Sequence, residues 1–144
     1  MSANSPDRFF LDTNIFVYSV TNDDPVKAQT ALELLRKALA THKGVVSYQV
    51  VQEFFNLALK RFEIRMSHVD RDEYLERVFR PMLKVHSSIG LYSEALRLHS
   101  LSKISWYDSL IICAAREAGC GILYSEDLQH GQRFGSLRVV NPFL

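Results

Sequence analysis

Four carboxylates stand where a fold could gather them. Asp12 directly follows the apolar run Phe9–Leu11, and Asp127 follows "GILYS" within a few residues. In an open parallel sheet the ligand crevice lies beyond the carboxyl ends of the strands, so both acids belong on that edge. A helix entered from a strand begins on the same edge, which brings in Glu53, early in its helix, and Asp108, in the first turn of another. Carboxylates packed within a few ångströms repel one another and bind protons unless a cation compensates them. Magnesium or manganese is the natural cation: Mg2+ takes oxygen ligands and is usually held by one or two carboxylates together with substrate phosphates. A metal so held lowers the pKa of a bound water, and the chemistry implied is phosphodiester hydrolysis. Singly, each acid also has an ordinary use. Asp12 and Asp127 suit turns, Asp108 suits a capping box, and Glu53 suits a helix boundary.

The elements that must position these acids alternate. Phe9–Leu11 reads as a strand buried on both faces, because such strands are short apolar runs without alternation. Thr13 and Asn14 then read as a turn. "NDDPVKAQTALELLRKAL" opens a helix with Asp24 as N-cap and Pro25 at its first position, with Ala28, Leu32, Leu35 and Leu39 as its inner stripe. Gly44–Ser47 is a second strand. The helix "QVVQEFFNLALKRF" puts Val50, Val51, Phe54, Phe55, Leu57 and Ala58 on one arc, with Glu53 at its edge.

Residues 67–83 predict a polar, charged helix, Val85 a small strand, and residues 88–102 a further helix. The spacing Ser105-x-x-Asp108 is that of a capping box, and Gly119 stops the helix it opens. "GILYS" and "LRVVNPF" are the last strands. The pattern predicts an α/β fold with a short central parallel sheet of about five strands and helices on both faces. One domain covers residues 1–144, with 1–7 as a short polar lead-in.

Composition agrees with an ordinary globular domain. The chain has 144 residues, 47% hydrophobic and 23% charged, and a net charge of +1. No basic field announces a nucleic-acid partner, so any basic footprint is local. Cys113 and Cys120 lack a metal-binding or redox spacing and are read as reduced thiols of a cytoplasmic protein. No stretch approaches a membrane span, and no leader is evident. His42, His68, His86, His99 and His130 show no zinc-ligand spacing, and neither a phosphate-binding glycine loop nor a GxSxG elbow is present.

Four segments, "FLDTNIFVY", "SYQVVQEF", "WYDSLIICAAREAGC" and "LYSEDLQHG", resemble in order the signature segments of PIN-domain ribonucleases. The likeness spans residues 10–131 and is closest to the VapC-like toxins of bacterial type II toxin–antitoxin systems. It implies that Asp12, Glu53, Asp108 and Asp127 surround Mg2+ or Mn2+, with Asn14 orienting beside Asp12. Thr13, Ser105 and Glu126 are lesser candidates. It further implies endonucleolytic cleavage of RNA, a small antitoxin as partner, and homodimers formed through helices.

Residues 60–84, with Tyr74, Phe79 and Met82, are a candidate dimer surface; the other reading is a clip that covers the sheet. Lys60, Arg61, Arg65, Arg71, Arg77, Arg80, Lys84, Arg116 and Arg133 are available for phosphates, or simply solvated. A haloacid-dehalogenase-type phosphatase would need a second acid where Asn14 stands. A phospho-receiver would need a lysine after its late strand, yet the last lysine is Lys103. The open alternatives are a PIN-like scaffold that binds RNA or protein without cutting it, and a housekeeping RNA-processing nuclease.

Overall fold

A computed structural model describes residues 7–61 and 64–144. The lead-in expected over 1–7 falls, apart from Asp7, outside the described residues, as does Phe62 at the end of the helix expected from Gln49. Six strands form one sheet: β1 (Phe9–Leu11), β2 (Gly44–Ser47), β3 (Leu83–Val85), β4 (Ile122–Tyr124), β5 (Arg133–Phe134) and β6 (Leu137–Val140). Their order is β3-β2-β1-β4-β6-β5. The first five strands in that order are parallel, as the sequence pattern predicts, and only β5 runs antiparallel to its neighbour. β5 is too short to leave a periodic trace, and its turn to β6 uses Gly135 at φ 63°. β1 lies between β2 and β4, and all of its side chains are buried.

The helices are α1 (Thr13–Ser19), α2 (Pro25–Thr41), α3 (Tyr48–Lys60), α4 (His68–Tyr74), α5 (Arg80–Met82), α6 (Ile89–Leu101) and α7 (Trp106–Glu117). They flank the sheet, with α1 packed on α2 and α3, and α6 paired with α7. The Thr13-Asn14 pair is not a free turn: Asp12 caps a seven-residue helix there, driven by burial of Ile15, Phe16 and Val17. α2 begins as its sequence dictates, with the Asp24 carboxylate accepting from the backbone N–H of Val26 and Lys27.

The inner stripe of α2 is centred on Ala31, Leu35 and Ala38; of the expected stripe Leu35 lies at its centre, while Ala28, Leu32 and Leu39 flank it half-buried. Small residues win that face because α2 lies close against β2 at Gly44.

The segment predicted as one helix over 67–83 is broken. Ser67 and Asp70 cap α4 reciprocally, but residues Leu75–Phe79 widen into a π-turn before α5. Pro81 lacks the N–H that would continue the regular ladder, which fits relaxation of the preceding turn. Phe79 and Met82 are fully buried, and Tyr74 stacks on Phe54 at 4.7 Å with Phe79 edge-on to both rings. The buried Phe79 and Met82 therefore offer no surface for pairing, while Tyr74 is half-buried against Phe54 on α3.

A Cβ added at Gly44 would run into the Cβ of Ala38 and lie 3.0 Å from its Cα. Gly44→Ala should cost about 1–3 kcal/mol of stability as overpacking. The double variant with Ala38→Gly should recover part of that loss, less the helix penalty of about 1 kcal/mol for glycine. Urea unfolding of the three proteins checks both the direction and the partial rescue.

Candidate active site

Asp12 sits at the joint between β1 and α1. Its backbone N–H donates to the Tyr124 carbonyl on β4 (3.0 Å), extending the β1–β4 register by one residue. That register places Ser125 beside it. The Ser125 hydroxyl donates to Asp12 Oδ2 (2.8 Å), and the Thr13 backbone N–H donates to Oδ1 (2.7 Å). Asp12 is only 6% exposed and Ser125 is fully buried. Burial raises the Asp12 carboxyl pKa from 3.8 to about 6; the two hydrogen bonds oppose the rise, and the negative charges of Glu53 and Asp127 add to it.

Thr13 ties the first acid to the second. While its N–H serves Asp12, its hydroxyl donates to Glu53 Oε2 (2.8 Å). Glu53 Oε1 accepts from Gln49 Nε2 (2.7 Å), one turn earlier on α3. The same Gln49 nitrogen reaches the Tyr107 carbonyl (3.2 Å), joining α3 to the first turn of α7. Asn14, expected beside Asp12 as an orienting residue, donates from its side-chain amide to Asp127 Oδ2 at 3.0 Å.

Asp108 stands in the first turn of α7, where its N–H donates to the Ser105 hydroxyl (3.2 Å). Burial raises its pKa, the Ser105 hydrogen bond opposes this, and the charges of Asp127 and Glu53 reinforce it. Asp12 and Asp108 thus both feel Glu53 and Asp127, so the four acids occupy one electrostatic neighbourhood. They do not form a closed ligand shell: among the described residues, no three His, Cys, Asp or Glu side chains are grouped as a metal site.

Glu126 turns away from this group, accepting from Tyr18 (2.7 Å) and from Lys27 (2.8 Å). Two residues of the network have no assigned role in the sequence reading. Gln49 could have been found from its i, i+4 spacing to Glu53. Ser125 lies inside "LYSED", but its partnership with Asp12 depends on a strand pairing that no local pattern encodes.

Residues 9–133 match the family model for the PIN domain. Solved structures of similar fold share little sequence. The Mycobacterium tuberculosis VapC20, a sarcin–ricin-loop-cleaving toxin, is 18% identical, with a TM-score of 0.60 over 83% of this chain and 89% of its own. A toxin–antitoxin complex from Klebsiella pneumoniae is 16% identical, with a TM-score of 0.65 over 92% and 96%. VapBC2 from Rickettsia felis, bound to a promoter DNA fragment, is 21% identical, with a TM-score of 0.61 over 91% and 96%. No curated protein matches the sequence.

Because the Asp12 pKa is higher in the fold than outside it, the native state holds the extra proton between about pH 4 and 6. Stability is therefore lost as pH rises through that window. Asp12→Asn preserves the shape, with its oxygen accepting from Thr13 and its amide donating to Ser125. In chelating buffer near pH 8 this variant should be more stable than wild type by on the order of 1–3 kcal/mol, the gap closing towards pH 4. Urea midpoints across that range decide it; a gap independent of pH would contradict burial of the charge as the cause.

Proposed function

This chain belongs to the PIN-domain family, and we propose that it is a Mg2+- or Mn2+-dependent endoribonuclease that acts as the toxin of a toxin–antitoxin pair. The observation that carries the proposal is the gathering of Asp12, Glu53, Asp108 and Asp127 at one edge of a PIN-type sheet, two of them with pKa values raised by burial and by the others' charge. The toxin role is supported by the neighbours in fold, which include a toxin that cleaves the sarcin–ricin loop and toxin–antitoxin complexes.

The donor set suits a hard cation, for it is all carboxylate oxygen with neither imidazole nor thiolate. Asp12, Glu53, Asp108 and Asp127 would hold it. When bound, such an ion supplies a water of lowered pKa and offsets charge on the scissile phosphate. The remaining work falls to the chain. Ser125 and the Thr13 N–H fix both oxygens of Asp12, the Thr13 hydroxyl and Gln49 fix Glu53, and Asn14 holds Asp127. Substrate oxygens then meet carboxylates that are already oriented, which limits the ordering left to be done on binding.

The protein would work in the cytoplasm, where the buried unpaired thiols Cys113 and Cys120 stay reduced. No helix among the described residues is long and apolar enough to cross a membrane. Its partners would be RNA, a cognate antitoxin and a second copy of itself. Pairing through the segment 60–84 would use exposed residues such as Val69 and Leu75.

The purified chain should cleave RNA with Mg2+ or Mn2+ and stop in chelator. Asp12→Asn and Asp108→Asn should each lower the cleavage rate roughly 100-fold or more. Undiminished cleavage by Asp12→Asn overturns the assignment, and RNA binding without cleavage by wild type would favour a scaffold.

A further inference from the structure

Beside Glu53 a cleft of about 320 Å³ opens between α3 and α7, lined by Gln49, Gln52, Glu53, Asn56 and Tyr107. This volume is at the lower end of the range of about 300–1,000 Å³ for small-molecule sites. Among the described residues that line it, Glu53 is the only charged group and neither Lys nor Arg contributes, so a phosphate is not what it fits. Gln52 and Asn56 are exposed, and their amides make no hydrogen bond to another described residue. They lie one turn apart on one face of α3 and offer paired donors and acceptors.

Tyr107 is 65% exposed although it is flanked by the half-buried Trp106 and Asp108. Its chain neighbour Trp106 is part of an aromatic group. The Tyr48 and Tyr92 hydroxyls are 3.5 Å apart, and Tyr92 stacks on Trp106. A flat, neutral ligand with an edge of donors and acceptors and a π face matches both halves of this lining. Unpaired nucleobases are such ligands: proteins read them by stacking on aromatic side chains and by hydrogen bonds to their edges.

We propose that this cleft is a nucleobase subsite for single-stranded RNA, with Tyr107 as the stacking platform and Gln52 and Asn56 as the edge readers. The proposal rests on the ribonuclease reading above and makes that activity selective for an unpaired base beside the cleaved bond. Two links support that placement. Tyr107 directly precedes Asp108, and the Gln49 amide bonds both the Glu53 carboxylate and the Tyr107 carbonyl, so the base site and two of the acids share one scaffold. A base held there sets which phosphodiester reaches the carboxylates.

The test uses short single-stranded RNA and the full chain. In the Asp12→Asn background, with chelator, fluorescence anisotropy should show binding weakened roughly 5- to 100-fold by Tyr107→Leu, the range for loss of one base–aromatic stack, and restored by Tyr107→Phe. An RNA with one abasic position should bind Tyr107→Leu and its parent equally. In otherwise wild-type protein, Gln52→Ala with Asn56→Ala should change which base is preferred at the cut.

Unchanged RNA affinity in Tyr107→Leu, or unchanged cleavage preference in the double variant, overturns the subsite even where cleavage itself is intact. Base-dependent binding by a wild-type chain that never cleaves leaves the subsite standing and removes the ribonuclease reading. Should the variants alter only the sedimentation of the protein or its capture of another protein, with RNA binding untouched, the face is a protein interface and the proposal fails.

Discussion

A carboxylate buried at the end of a central strand is an expensive thing to place. Desolvation disfavours its charged form, and an apolar or neutral residue in its stead would avoid that cost. Asp12 persists there because two donors meet it, the Ser125 hydroxyl and the Thr13 N–H. Neither donor is free to be elsewhere. Ser125 arrives only if β4 pairs with β1 in the observed register, and the Thr13 N–H points at the carboxylate because α1 begins at the next residue. The order of the sheet and the start of the first helix therefore both converge on one side chain. That is the reverse of an ordinary N-cap, which is exposed and can be traded for serine with little consequence.

From Asp12 the constraint passes outward through short links. Thr13 serves two acids at once, with its amide on Asp12 and its hydroxyl on Glu53, so neither carboxylate can swing without disturbing the other. On the far side Asn14 restrains Asp127, while the adjacent Glu126 is drawn the other way by Lys27 and Tyr18. The Tyr18 ring meets Phe143 edge-on at 5.0 Å, which ties the same corner to the last turn of the chain. Neighbouring acids pulled in opposite directions leave the loop little freedom, so like charges stay close without parting. The helix α3 is held in turn through its Phe54 ring by Tyr74 and Phe79, and this is why a segment rich in charge carries two aromatics packed on the core.

The parts that were legible in the sequence are those governed by neighbours in the chain. The strand ends that carry Asp12 and Asp127, and the early helical turns that carry Glu53 and Asp108, follow from apolar runs, caps and spacing. So do the bounds of β1 and β2 and the first residue of α2. What was hidden depends on distant pairing. Ser125 meets Asp12 across 113 positions, a contact that exists only once β4 lies beside β1. The partner of Asn14, Asp127, is hidden for the same reason, 113 positions away in the chain. Phe79 and Met82 read as surface because their neighbours are charged, while the π-turn ahead of Pro81 rotates them inward. The two-residue β5 has no period to detect.

A net charge of +1 also bears on how such a site could handle an anionic polymer. Long-range attraction is weak, and four carboxylates repel phosphates at close range. Selectivity built on charge would therefore work against the site's own acids. Groups that recognise bases rather than phosphates avoid this conflict, since stacking and amide hydrogen bonds lose little to a nearby carboxylate and depend only modestly on salt. Gln52, Asn56 and Tyr107, next to Glu53, are groups of that kind. An acidic centre surrounded by lysines would bind any nucleic acid, whereas one bordered by amides and an aromatic ring gains affinity only where a base is free to enter.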